Sequence, residues 1–138
     1  MLREVLGLLR PHGRFVLHDM CPPQSQDWLY YEYFPKARLR DFEDFWPPET
    51  ICKYIKTAGF AVLNATYQHI EFDEDLPAWL DIVRRRDTRS QLQAISAAAY
   101  RQGVRRLKRD IADPKLPRSR KNRLCLVTIR GDKPEPVR

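Results

Sequence analysis

His18, Asp19, Met20 and Cys21 are consecutive, and Trp28, Tyr30, Tyr31 and Tyr33 follow shortly after. An imidazole and a carboxylate beside a cluster of aromatics can move protons and hold a planar or cationic group. Asp19, Met20, Trp28, Tyr30, Tyr31 and Tyr33 are therefore the candidate substrate-facing residues. Each also has a plainer use. Asp19 can accept backbone hydrogen bonds at a strand end, His18 can be a polar group on a packed face, and the aromatics can simply cover a sheet. None of His12, His18 and His69 has a Cys, Asp or Glu partner at metal-ligand spacing, so no metal site is expected. No serine elbow and no Cys–His pair is suggested, and no catalytic residue is assigned.

A second kind of chemistry is electrostatic. The net charge is +7, and residues 101–123 hold ten Lys or Arg against two Asp, so the rest of the chain sums to about −1. Arg101, Arg105, Lys108 and Arg109 form the heart of this basic patch. Such a block can attract an acidic protein or the phosphates of RNA. It can equally be the solvated face and exit loop of a long helix. The aromatics lie far from it in sequence and no RNA- or DNA-binding motif is present.

The elements that must position these groups can be read from periodicity. Leu2, Val5, Leu6 and Leu9 predict a helix over 2–10, ended by Pro11 and Gly13. Residues 14–20 predict a strand apolar on both faces, as in the interior of an α/β sheet. Residues 21–47 read as irregular, because Pro22, Pro23, Pro35 and Pro47 oppose a long helix. Pro47-Pro48-Glu49 opens a helix with Ile51, Tyr54, Ile55 and Ala58 as its stripe, closed by Gly59. A strand follows over 61–72, with Leu63, Ala65 and Tyr67 on one face and Val62, Ile70 and Phe72 on the other.

Asp75 caps a helix carrying Leu76, Trp79, Leu80 and Val83. Thr88 and Gln91 have capping-box spacing and predict one helix to about 112. Its stripe is Leu92, Ile95, Ala99, Gly103, Leu107 and Ile111. Residues 113–122 read as a basic loop, 123–130 as a last strand, and 134–138 as a tail.

With 138 residues, 43% hydrophobic and 31% charged, the chain suits one soluble domain with a moderate core. No apolar run can span a bilayer and no secretory leader is evident, so a cytoplasmic location without membrane attachment is expected. The odd set Cys21, Cys52 and Cys125 forms no CxxC and suits reduced, mostly buried thiols.

The order of elements brings a family into view. The run Leu6-Gly7-Leu8-Leu9-Arg10-Pro11-His12-Gly13-Arg14-Phe15-Val16-Leu17-His18-Asp19 resembles the segment between the fourth helix and fifth strand of class I S-adenosylmethionine-dependent methyltransferases of the type 11-like group. Lys56-Thr57-Ala58-Gly59-Phe60 is similar to the A-G-F close before that family's sixth strand, and Leu124 to Lys133 is similar to its seventh. His12 stands where the family often has glycine, which accepts a positive φ more readily.

The resemblance implies a partial Rossmann-like α/β fold: a three-stranded mixed sheet in the order 5-7-6 with flanking helices. It makes residues 1–133 one C-terminal methyltransferase-like domain fragment, with 73–122 as a helical insertion. The cofactor-binding first half of the family has no counterpart, since Gly7, Gly13, Gly59, Gly103 and Gly131 are too scattered for a glycine-rich loop. S-adenosyl-L-methionine is thus the parent family's cofactor, and none is expected for this chain alone. The implied role is an acceptor-side wall and sheet edge, inactive by itself, with the methyl acceptor left open. The exposed edge of strand 14–20 calls for a homodimer or a separately encoded cofactor-binding half. The alternative is a non-enzymatic module that binds acidic protein or RNA through residues 101–123.

Overall fold

In the computed structural model, residues 1–135 are described, except for the side chain of Val62. The chain divides into two compact units. The first comprises Met1–Cys21, Trp46–His69 and Cys125–Arg138, and the second Pro22–Phe45 and Ile70–Leu124.

The first unit opens with α1 (Leu2–Leu8), which ends shortly before Pro11, and β1 (Arg14–Met20). His12, in the turn between them, has φ 61°, so the position where the resembled family often has glycine is left-handed in this chain. α4 (Pro48–Thr57) starts with proline in its first turn, where the missing N–H costs no helical bond. Gly59 leaves it at φ 106°. β2 (Ala61–Asp75) and β3 (Ser119–Asp132) complete the sheet, whose order is β1-β3-β2.

That order is the one the resemblance implies. β1 pairs antiparallel with β3, Arg14 facing Asp132 and Met20 facing Leu126. Arg14 Nε lies 2.7 Å from Asp132 Oδ1, and Lys133 N donates to Gly13 O across 2.8 Å, fastening the end of this ladder. The three strands pair only antiparallel, so the parallel component of a mixed sheet is not among them. The reason is topological: the expected parallel relation is that of β1 to β2, which β3 separates.

Ile55, Phe60, Cys21, Cys125, Val127 and Ile129 form the buried core of this unit. Leu2, Val5, Leu6, Leu9, Phe15, Leu17, Leu63 and Ala65 pack around it. β1 covers that core with one face only: Val16, on the other, is 50% exposed. Tyr54, expected on the apolar stripe of α4, is also 50% exposed. Its ring instead meets Trp46, at 4.8 Å between centroids. The tail positions 136–138 lie outside the described residues.

The second unit is helical. A short 3-10 turn, Pro22–Gln24, precedes α2 (Leu29–Tyr33) and α3 (Pro35–Asp44). The stretch read as irregular therefore contains a ten-residue helix. Pro35 sits in its first turn, where proline starts a helix instead of breaking one. α5 (Leu76–Arg84) begins as its sequence indicates, with Asp75 Oδ2 accepting from Ala78 N at 3.1 Å. Leu76, Trp79, Leu80 and Val83 are all buried.

The single helix expected over 88–112 is broken into a turn (Arg86–Thr88), α6 (Ser90–Gln93) and α7 (Ala97–Ala112). Ser96 is the cap that wins: its Oγ accepts from Ala99 N at 3.2 Å, while Thr88 Oγ1 donates to Arg85 O. The Arg86 guanidinium bonds Leu92 O and Ile95 O, satisfying carbonyls the break leaves open.

β3 starts at Ser119, inside the expected loop, because cross-strand pairs extend the ladder. Arg123 meets Glu71 at 2.6 Å, Lys121 meets Asp73 at 3.3 Å, and Leu76 N donates to Arg118 O at 3.0 Å. Numbers fall along one strand as they rise along the other, as in an antiparallel pair.

Candidate functional site

In the first unit, the end of β1 carries the polar candidates. His18 Nδ1 lies 2.8 Å from Thr128 Oγ1, its cross-strand partner. Asp19 is exposed, and its Oδ1 accepts from Met20 N at 2.8 Å. This is the strand-end use of an acid. Met20 is half-buried.

The aromatic candidates belong to the second unit and form much of its core. Trp28, Tyr30, Tyr31 and Tyr33 are each at most 9% exposed. Trp28 touches Tyr30 and Tyr31, and Trp79 collects Tyr30 and Tyr33 at 5.2 and 5.6 Å. Their hydroxyls are tied inward: Tyr31 donates to Asp41 Oδ2 at 2.9 Å and Tyr33 to Asp110 Oδ2 at 3.1 Å. Burial pushes the Tyr33 phenol up to about 12 and holds the Asp41 carboxyl above its ordinary range. Gly103 of α7 lets this cluster close, since a Cβ there would overlap the Phe34 ring carbons.

An open cleft of about 690 Å³ lies within this unit. Its lining includes Arg38 of α3, Glu32 of α2, Asp27, and Arg120, Lys121 and Arg123 of β3. Trp28 and Tyr31 also contribute to the wall. Most of the charge is matched. Arg120 pairs with Glu32 at 3.1 Å, and Arg123 reaches Asp27 at 3.3 Å as well as Glu71. Arg123 and Lys121 both bond Glu71 and draw its carboxyl below its usual range, and both cations are raised in turn.

Arg38 differs. It has no carboxylate partner among the described residues and lies 5.4 Å over the Phe42 ring. The cleft can hold a polar ligand by charge, but no His or Cys lines it to serve as a base or thiol nucleophile. Sequence reasoning missed its basic wall because residues 119–122 read as loop. The basic run Arg120-Lys121-Asn122-Arg123, complementary to the acids of 71–75, is the signal that could have found it.

The basic patch is split by its pairing. Arg101, Arg105 and Lys108 are exposed on α7 and have no carboxylate partner among the described residues. Arg109 lies 3.7 Å from Asp110. Arg106 instead donates to Glu32 O at 2.7 Å and stands over the Tyr33 ring.

Among the described residues, no group of three or more His, Cys, Asp or Glu could hold a metal, and no helix is long and apolar enough to cross a membrane. The glycines do not build a nucleotide cradle. Cβ atoms at Gly13, Gly59, Gly103 and Gly131 would meet the chain's own Arg10, Leu6, Phe34 and Ile55, and Gly7 stands alone on α1.

No family model and no curated protein matches the sequence. Solved structures do resemble it. A candidate methyltransferase from Bacillus halodurans C-125 superposes over 97% of this chain with a TM-score of 0.50 and 16% identity. A phosphoethanolamine N-methyltransferase 2 from Haemonchus contortus, in complex with phosphomonomethylethanolamine and S-adenosylhomocysteine, covers 97% of the chain at a TM-score of 0.38 and 18% identity. The chain spans 62% of the first of these proteins and 29% of the second. With its helices flanking a β1-β3-β2 sheet, this chain has a methyltransferase-like α/β fold.

Proposed function

We propose that this chain is the C-terminal, acceptor-side portion of an S-adenosylmethionine-dependent methyltransferase. The observation that carries the reading is the sheet order β1-β3-β2 with antiparallel β3 between the other two strands. It agrees with the order implied by the Leu6–Asp19 and Lys56–Phe60 resemblances, and the Bacillus halodurans superposition supports it. In such an enzyme much of the protein's work is alignment of acceptor and methyl donor. The residues of this chain contribute surface and charge to that alignment and leave the donor to a complementary part. The unpaired edge of β1 is where that part, or a second copy, adds a strand.

Isothermal titration with S-adenosylmethionine, alongside sedimentation at micromolar concentration, tests the proposal. The expected result is no cofactor heat from the chain alone, together with self-association or pairing through the β1 edge. Tight cofactor binding by the chain alone, or a stable well-behaved monomer, overturns it.

A second reading rests on the unpaired stripe of Arg101, Arg105 and Lys108, which suits an RNA or acidic-protein binder without enzymatic activity. Titration of short RNA at two salt concentrations separates the two readings. Binding that weakens steeply with salt favours the second.

A further inference from the structure

We propose that Cys21 and Cys125 form a reversible redox pair that closes to an intramolecular disulfide between the end of β1 and β3. The register of the β1–β3 ladder, Met20 facing Leu126, brings Cys21 opposite Cys125 at the next step. Cys21 N donates to Cys125 O across 2.8 Å, so the two backbones are paired there. Cα atoms of such an antiparallel pair stand about 5.5 Å apart, inside the window of about 4.4–6.8 Å that a disulfide spans. Besides burial, the Cys21 side chain is among the neighbours that push the Cys125 thiol up. Cys21 lies just beyond the last residue of β1, where backbone can adjust to the bond.

Both side chains sit in the core of the first unit, 2% and 0% exposed. Cys52 of α4 is half-buried and packs on the same core, but the β1–β3 register does not bring it opposite either of them. Among the described residues no group of three or more His, Cys, Asp or Glu could hold a metal ion.

The step balances with a peroxide as oxidant. One thiolate attacks a peroxide oxygen and the O–O bond breaks, giving a sulfenic acid and hydroxide. The hydroxide takes the proton that the thiol had released and becomes water. The second thiolate then attacks the sulfenic sulfur. The S–S bond forms, the S–O bond breaks, and the departing hydroxide takes a proton to become a second water. Two thiols are oxidised and one hydrogen peroxide is reduced. Burial pushes the Cys125 thiol up, so reaction waits on opening of the strand end.

The test is to treat the native chain with hydrogen peroxide, alkylate, and map the peptides by mass. The expected result is loss of two hydrogens, a cross-link joining the Cys21 and Cys125 peptides, and its reversal by dithiothreitol. The oxidised protein's Tm rises by about 5 °C or more, because the bond closes a long loop. Cys52→Ser keeps all of this and Cys125→Ser abolishes it. If Cys125→Ser fails to fold, the wild-type peptide map decides alone. Thiols that both remain alkylatable, a cross-link through Cys52, or added oxygen at either sulfur overturns the proposal. None of these outcomes depends on methyl transfer.

Discussion

The two units of this chain are held together by different chemistry. The first is closed mainly by aliphatic side chains and thiols packed on one face of a sheet, Ile55, Val127, Ile129, Cys21 and Cys125, with Phe60 as its one buried aromatic among the described residues. The second is closed by aromatics in mostly tilted and edge-on contact, with polar ends pinned by buried acids through Tyr31–Asp41 and Tyr33–Asp110. Aliphatic packing is tolerant of small shape changes, whereas an aromatic cluster with buried hydrogen bonds demands geometry at every partner. The difference teaches where this fold is brittle.

Trp79→Ala should have the largest effect, removing the ring on which Tyr30, Tyr33 and Phe34 converge. A loss of about 3–5 kcal/mol is expected in urea denaturation. Hydrogen exchange should speed in α2, α5 and α7 more than in β1; equal change in both units would erase the contrast. Next comes Gly103→Ala, whose methyl meets Phe34. Overpacking there should cost about 1–3 kcal/mol, against a slight gain for a helix glycine free of contacts.

The third prediction uses pH. The Tyr33 phenol is raised from 10.0 to about 12, so its stabilising contribution is complete below pH 10 and is lost as pH rises towards 12. Tyr33→Phe should flatten that alkaline fall in a series of urea midpoints. An unchanged slope would mean that Tyr33 is not confined as described. Asp132 behaves oppositely. Arg14 holds its carboxyl low, so its contribution is lost only as pH drops below the ordinary carboxylate range. The smallest effect is expected from His12→Gly. A side chain at φ 61° carries strain that glycine relieves, at some entropic cost. A net gain of up to about 1 kcal/mol is expected by thermal melting.

Much of the fold is legible in particular residues. Arg14–Met20, Pro48–Thr57 and the Asp75 cap appear where turn and capping chemistry places them, because those signals are local. The break at Ser96 is not legible, since two cap signals compete and the carbonyl bonds of Arg86 decide between them. The cleft wall of Arg120, Lys121 and Arg123 is hidden for a related reason. Its strand exists through pairing with Glu71 and Asp73, which lie far away in sequence. Charged residues carry little strand propensity of their own. The aromatic candidates are plain in the sequence, but whether a tyrosine faces solvent or the interior depends on partners such as Asp41 and Asp110 that only packing supplies.

The bare stripe of Arg101, Arg105 and Lys108 has a bearing at the bench. If that stripe binds RNA, as the second reading holds, host nucleic acid will travel with this protein through a low-salt purification and inflate absorbance at 260 nm. A high-salt wash over a heparin column should therefore precede every binding measurement.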